Sequence, residues 1–167
     1  MKKMIATWIA AIAVLASAGS MSAHHSLAQF DTTTPVLVKG TVVLFERVNP
    51  HSLIFLDQTR EDGQIQRWAV DGPGPTQLDR MGVDKDFLKA GDVIEVCGFV
   101  TKEGVASQRA LANSSLSLKS STPNTQGRII NGHLLVMPDG KRRFWSDCGL
   151  LDKCLRPGEK REDVGRR

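Results

Sequence analysis

Tyrosine is absent from the 167 residues, and aromatic residues make up only 5% of them. A barrel that reads single-stranded nucleic acid needs aromatics to stack on and a basic groove to track the backbone. With one of the three tryptophans, Trp8, in the leading segment, only Trp68 and Trp145 remain for the body. Nucleic acid is therefore the weakest partner class. Catalytic signatures are missing as well. The chain has no Gly-x-Ser-x-Gly elbow, no His-Glu-x-x-His and no phosphate-binding glycine loop. The Gly-rich stretch at 71–75 carries prolines where a cradle would need N–H donors, so it reads as a bend. Cysteines number three, Cys97, Cys148 and Cys154, with no paired Cys-x-x-Cys, so no zinc pattern is present. Beyond the first eighteen residues no apolar run is long enough to cross a bilayer.

What stands at the start defines a compartment. Lys2 and Lys3 precede an apolar stretch, Ile5 to Ala18, followed by small residues. That is the layout of a secretory signal peptide, and the stretch is too short to span a membrane. No cysteine follows it closely, which argues against a lipid anchor. The expectation is a signal peptide over 1–23 and a periplasmic or secreted product. Removing it takes two lysines and no acid from the formal charge of +4, leaving +2. That is no nucleic-acid footprint. Lys141 to Arg143 and the mixed-charge tail read as solvated surface.

The body alternates in the manner of strands. Val36, Val38, Val42 and Leu44 share one face of a first strand, 36–48, with Gly40 suggesting a bend or bulge. Asn49-Pro50 breaks it. Strands over 52–58 and 65–70 flank Asp62-Gly63, a strong hairpin signal. A short helix follows over 75–81, with Thr76 as cap and Gly82 as stop. A fourth strand at 92–100 places Ile94, Val96 and Val100 together, and a weaker fifth falls at 110–118. A polar linker, 119–128, leads to a hairpin turning at Asp139-Gly140.

Three strands, a short helix and two strands follow the order of the OB-fold, a five-stranded Greek-key barrel. The expected fold is mostly β: a small OB-like barrel with its helix between strands three and four, and an appended C-terminal hairpin. A β-sandwich is the alternative. The domain reading is 24–118 for the barrel, 119–128 for the linker, 129–155 for the hairpin and cysteine segment, and 156–167 for a flexible tail. In an oxidising compartment Cys148 and Cys154 would close a short local loop and leave Cys97 free. Pairing of Cys97 with one of them is the rival.

A set of short motifs carries a resemblance. In order they are Ala23-His24-His25-Ser26, Phe30-Asp31, Gly40-Thr41-Val42, Asn49-Pro50-His51, Trp68, Leu88-Lys89-Ala90-Gly91-Asp92 and Gly98. Over residues 23–118 the chain resembles a family of small exported bacterial proteins of unknown function, and the Pro138-Asp139-Gly140 turn fits it too. The resemblance implies a periplasmic, OB-like β domain and no particular activity. The linker near Pro123 and the Cys148–Cys154 segment depart from that pattern.

Candidate chemistry rests on the histidines. His24 and His25 stand at the start of the mature chain, and His51 at the corner between strands one and two. Imidazole suits copper and zinc. Cleavage after Ser22 leaves His25 third, where amine, backbone nitrogens and ring can surround Cu(II). Cleavage after Ala23 leaves His24 first, able to chelate through amine and ring. Cleavage after Ala18 removes both options. The plain alternative is a polar lead-in, with His51 as a turn residue. His133 is expected at the surface. Asp31, Asp57 and Asp71 are the acids from which an acid–base pair could be drawn. The reading is an exported binding module for a small ligand, a metal such as copper, or a periplasmic protein. The alternative is a metal-dependent enzyme or an accessory subunit of one.

Overall fold

The computed structural model describes residues 27–102 and 129–165. The elements are β1 (Val36–Glu46), β2 (Leu53–Thr59), β3 (Ile65–Asp71), helix α1 (Pro75–Arg80), β4 (Val93–Val100), β5 (Ile129–Val136) and β6 (Arg142–Phe144). Three short 3₁₀ turns, Leu27–Gln29, Leu151–Cys154 and Arg161–Asp163, complete the set. Neighbouring strands run in the order β3-β2-β1-β4-β5-β6, and β3 also pairs with β5. That last pairing closes a five-stranded ring. It is parallel, while the others are antiparallel. The fold is thus the expected small OB-like barrel, with α1 between the third and fourth strands and β6 bonded outside the ring.

Alternation explains the barrel interior. Val38, Val42, Ile54, Leu56, Trp68, Val70, Ile94, Val96, Ile130 and Leu135 face inward, and Leu78, Met81, Val83 and Leu88 plug one end. Gly40 is required by close approach rather than by a bulge. A Cβ there would lie 2.8 Å from the Asp57 carbonyl oxygen. The bulge comes later, between Val42 and Leu44. It turns Leu44 out to a second cluster and Phe45 toward the interior. Helix α1 starts on Gly74, not on a Thr76 cap, because Pro75 at its first position has φ preset for a helix. Gly82 follows with φ 68°. The turns at Asp62-Gly63 and Asp139-Gly140 form as expected, with φ 76° and 81° at the glycines.

The fifth place in the ring belongs to β5, residues the sequence reading assigned to the hairpin. The segment 110–118, expected as strand five, and the linker 119–128 lie outside the described residues. β5 therefore serves both as a barrel strand and as the inner arm of the hairpin, with β6 the single added strand. Within the tail, residues 156–165 are docked rather than loose. Val164 is buried against Leu134 and Leu151, Arg142 pairs with Glu159 at 2.8 Å, and the Phe144 N–H donates to the Gly165 carbonyl at 2.9 Å.

Docking of this segment corrects the cysteine pairing. The disulfide joins Cys97 and Cys154, and Cys148 is free and exposed. Pleating does turn Cys97 outward, but that face is covered by the turn Leu151–Cys154. Closing a loop of 57 residues rather than six costs the unfolded chain about 2 kcal/mol more. Packing of Leu151, Cys154 and Val164 over Leu134 offsets this in the folded state, so native geometry decides the partner. In protein from an oxidising compartment, maleimide should label Cys148 without unfolding, and label Cys97 and Cys154 only after reduction. Replacing Cys154 by Ser should cost about 4 kcal/mol in chemical denaturation, as expected for a loop of this size.

Candidate site at the Asn49-Pro50-His51 corner

Where β1 hands over to β2, the peptide bond between Asn49 and Pro50 is cis. The corner it makes lies against the Gly-Pro bend that follows β3. Ser52 N–H donates to the Pro73 carbonyl at 3.2 Å, and Gly72 N–H donates to the Ser52 carbonyl at 3.0 Å. At Gly74 a Cβ would lie 2.6 Å from the Pro50 carbonyl oxygen, so only glycine permits the approach. Arg47 closes the contact from the side, donating to the Pro75 carbonyl at 3.2 Å and pairing with Asp79. The Asp-Gly-Pro-Gly-Pro stretch is thus the seat of the corner.

The seat brings His51 onto Asp71, the last residue of β3. His51 Nδ1 lies 2.9 Å from Asp71 Oδ1, with side-chain exposures of 18% and 6%. The contact sets the imidazole against the carboxylate, and this pairing is the largest influence on the ring. Asp71 raises the His51 pKa above the ordinary 6.5, against burial, which lowers it; a bond to the Gly72 backbone also raises it. A carboxylate at Nδ1 orients the ring and favours the tautomer with its lone pair on Nε2. Beneath this pair the Trp145 indole closes the barrel end. A Cβ on Gly72 would lie 2.3 Å from its Nε1.

Asp71 also sits beside Asn131 across the parallel β3–β5 seam. Farther along β5 is His133, and here the surface expectation fails. His133 has no exposed area and meets the Phe99 ring edge-on at 5.3 Å. His133 falls at the register shift between β4 and β5, and the Trp145 and Ser146 N–H groups both donate to its carbonyl. Burial lowers its pKa below 6.5, although the Asp147 charge opposes this.

Of the residues singled out from sequence, His24 and His25 lie outside the described residues, and His51 is built into the corner. The three acids do not converge. Asp57 is held by Arg67 through two contacts of 2.7 Å, Asp31 accepts from Thr33, and only Asp71 faces a histidine. Sequence reasoning missed Asp71 as the partner of His51. The available signal was a Gly-Pro run directly after a strand, opposite a Pro-containing corner. Among the described residues no group of three or more His, Cys, Asp or Glu side chains could hold a metal ion. No described helix is long and apolar enough to cross a membrane.

These features define a small OB-like barrel with a largely buried imidazole–carboxylate pair where its first corner meets the end of β3. Residues 11–110, more than half of the chain, match the Family of unknown function (DUF6152), and the chain belongs to that family. No curated protein matches it.

The two histidines act in opposite directions on stability. With its folded pKa raised, His51 stabilises fully below its unfolded value near 6.5 and loses this as pH rises through the folded value. With its folded pKa lowered, His133 stabilises fully above 6.5 and loses this as pH falls through the folded value. An NMR ring titration should place His51 above 6.5 and His133 below it, and Asp71→Asn should bring His51 down. Gly72→Ala should displace Trp145, shift its fluorescence and cost about 1–3 kcal/mol, the usual range for overpacking.

Proposed function

We propose that this chain is an exported binding module that takes one divalent transition-metal ion, copper first, at the Asn49-Pro50-His51 corner. The observation that carries the reading is the His51–Asp71 pair at 2.9 Å. Histidines that ligate metals commonly give their other ring nitrogen to a carboxylate, which fixes ring direction and raises basicity. A structural turn histidine has no need of a largely buried anion.

One imidazole is not a site. The further donors in this reading are His24, His25 and the new amine that signal-peptide cleavage creates. The sequence supports this because cleavage after Ser22 or after Ala23 leaves a histidine able to share a metal with that amine. All of these donors must be deprotonated to ligate, so acid releases the ion. Asp71 would position His51 and keep charge balance near the metal. The sequence carries no nucleophile-elbow, His-Glu-x-x-His or phosphate-loop signature, which favours a binding role over catalysis.

The test is metal analysis of protein purified from the export compartment, with its amino-terminal mass, followed by copper titration. One equivalent of copper is expected at neutral pH. Replacing both His24 and His25 by Ala should abolish uptake. His51→Ala should weaken it, and Asp71→Asn should weaken it by about 10–100-fold, the usual effect of losing such a partner. Correctly processed protein that takes up no copper, or a mature terminus at Gly19, would overturn the reading.

A further inference from the structure

Behind the His51 corner two buried polar side chains meet across one backbone step. Gly72 N–H donates to the Ser52 carbonyl, and Ser52 N–H donates to the Pro73 carbonyl, so the β2–β3 ladder runs one pair past Leu53 and Asp71. Ser52 and Gly72 therefore stand opposite each other. Ser52 lies two residues before Ile54, which faces the barrel interior, so its hydroxyl is on that same inner side. The residue is fully buried. On the inner side of Gly72 the edge of the Trp145 indole takes the place of a side chain. Its Nε1, Cε2 and Cζ2 lie 2.3, 2.4 and 2.6 Å from where a Cβ would stand.

The indole is held in that orientation. Phe87 stacks on it at 6.3 Å, Phe45 meets it edge-on at 6.0 Å, and its Cδ1 lies 2.9 Å from where a Cβ on Gly132 would stand. Trp145 is fully buried as well. Neither Ser52 Oγ nor Trp145 Nε1 has a hydrogen-bond partner among the described residues. Trp68 differs, because its Nε1 donates to Gln58 Oε1 at 3.0 Å.

The carbonyls nearest in the chain are already engaged. That of Ser52 accepts from Gly72, that of Pro73 from Ser52, that of Gly74 from Gln77 and Leu78, and that of Pro75 from Arg47. A buried donor is costly to leave unanswered, so whatever answers the indole must carry an acceptor. Charge decides its class. The hydroxyl and the indole are neutral, the Arg47 charge is answered by Asp79, and the Asp71 carboxylate beside Gly72 disfavours an anion. Opposed Cβ positions on such a ladder lie about 5 Å apart, a gap that one small neutral molecule bridges. An internal water needs only a few polar partners to be held for good. We propose that an internal water is bound between Ser52 Oγ and Trp145 Nε1, accepting the indole N–H and donating to the Ser52 oxygen. The site lies on the inner side of the step whose outer side carries Asp71, and it takes water with or without a metal at the His51 corner.

The test is a crystal structure at a resolution that shows ordered water, for the wild type and for Ser52→Ala. One oxygen within hydrogen-bond distance of both Ser52 Oγ and Trp145 Nε1 is expected in the wild type, and its loss in Ser52→Ala. In solution, NMR cross-relaxation between water and the indole N–H protons reads the same contact. Trp145 should show a slowly exchanging water that disappears in Ser52→Ala, and Trp68, bonded to Gln58, should show none. A direct bond between Ser52 Oγ and Trp145 Nε1 with no oxygen between them overturns the proposal, as does an oxygen that stays unchanged in Ser52→Ala. If Ser52→Ala does not fold, the wild-type density decides alone.

Discussion

The parallel seam between β3 and β5 is the contact on which the molecule depends. It consists of three register pairs, Ala69 with Ile129, Val70 with Ile130 and Asp71 with Asn131. Without it the five strands form an open curl whose interior faces water. With it the inward residues enclose one core, and the outward residues at the seam's end, Asp71 and Asn131, are held side by side. Close packing of β5 against both its ring neighbours demands glycine. A Cβ on Gly98 would come 2.2 Å from the Asn131 carbonyl oxygen, and one on Gly132 would come 2.6 Å from a Val70 methyl. Ring closure and the polar site therefore rest on the same few backbone approaches.

Much of the barrel was legible because its signals are local. Alternating valines mark β1, Asp-Gly pairs mark two hairpins, and a short Pro-led helix sits where the topology needs it. The closing strand was less legible. Asn131-Gly132 has the composition of a turn, yet it lies inside β5, where the lack of a Cβ lets the strand press against Val70 and Trp145. Nothing local distinguishes a glycine chosen for a turn from one chosen for contact. Cys97 shows the same limit. Pleating correctly turned it outward, but whether that face meets water or another segment depends on contacts more than fifty residues away.

The candidate site divides in the same manner. His51 stands out in sequence because a histidine after Asn-Pro has a defined corner to occupy. Its partner Asp71 does not, because one acid among eighteen acquires meaning only when two loops dock. His133 was misread for a related reason. Polar residues beside a hairpin are usually solvated, and its burial comes with a contact to the Phe99 ring on β4 that exists only once the barrel has closed.

The outer strand β6 has a further consequence for how the protein behaves in a crowd. A closed ring has no edge, but adding a strand outside it creates one. An uncovered edge is a template on which other chains can add strands and grow aggregates. Here the exposure is kept small. β6 is three residues long, and Gly165 occupies the far side of Arg143 through bonds at 2.9 and 3.2 Å. Arg143 adds like charge against any second copy arriving in register. The segment around Gly165 thus acts as a gatekeeper for colloidal stability, and the barrel carries an extra strand without becoming sticky.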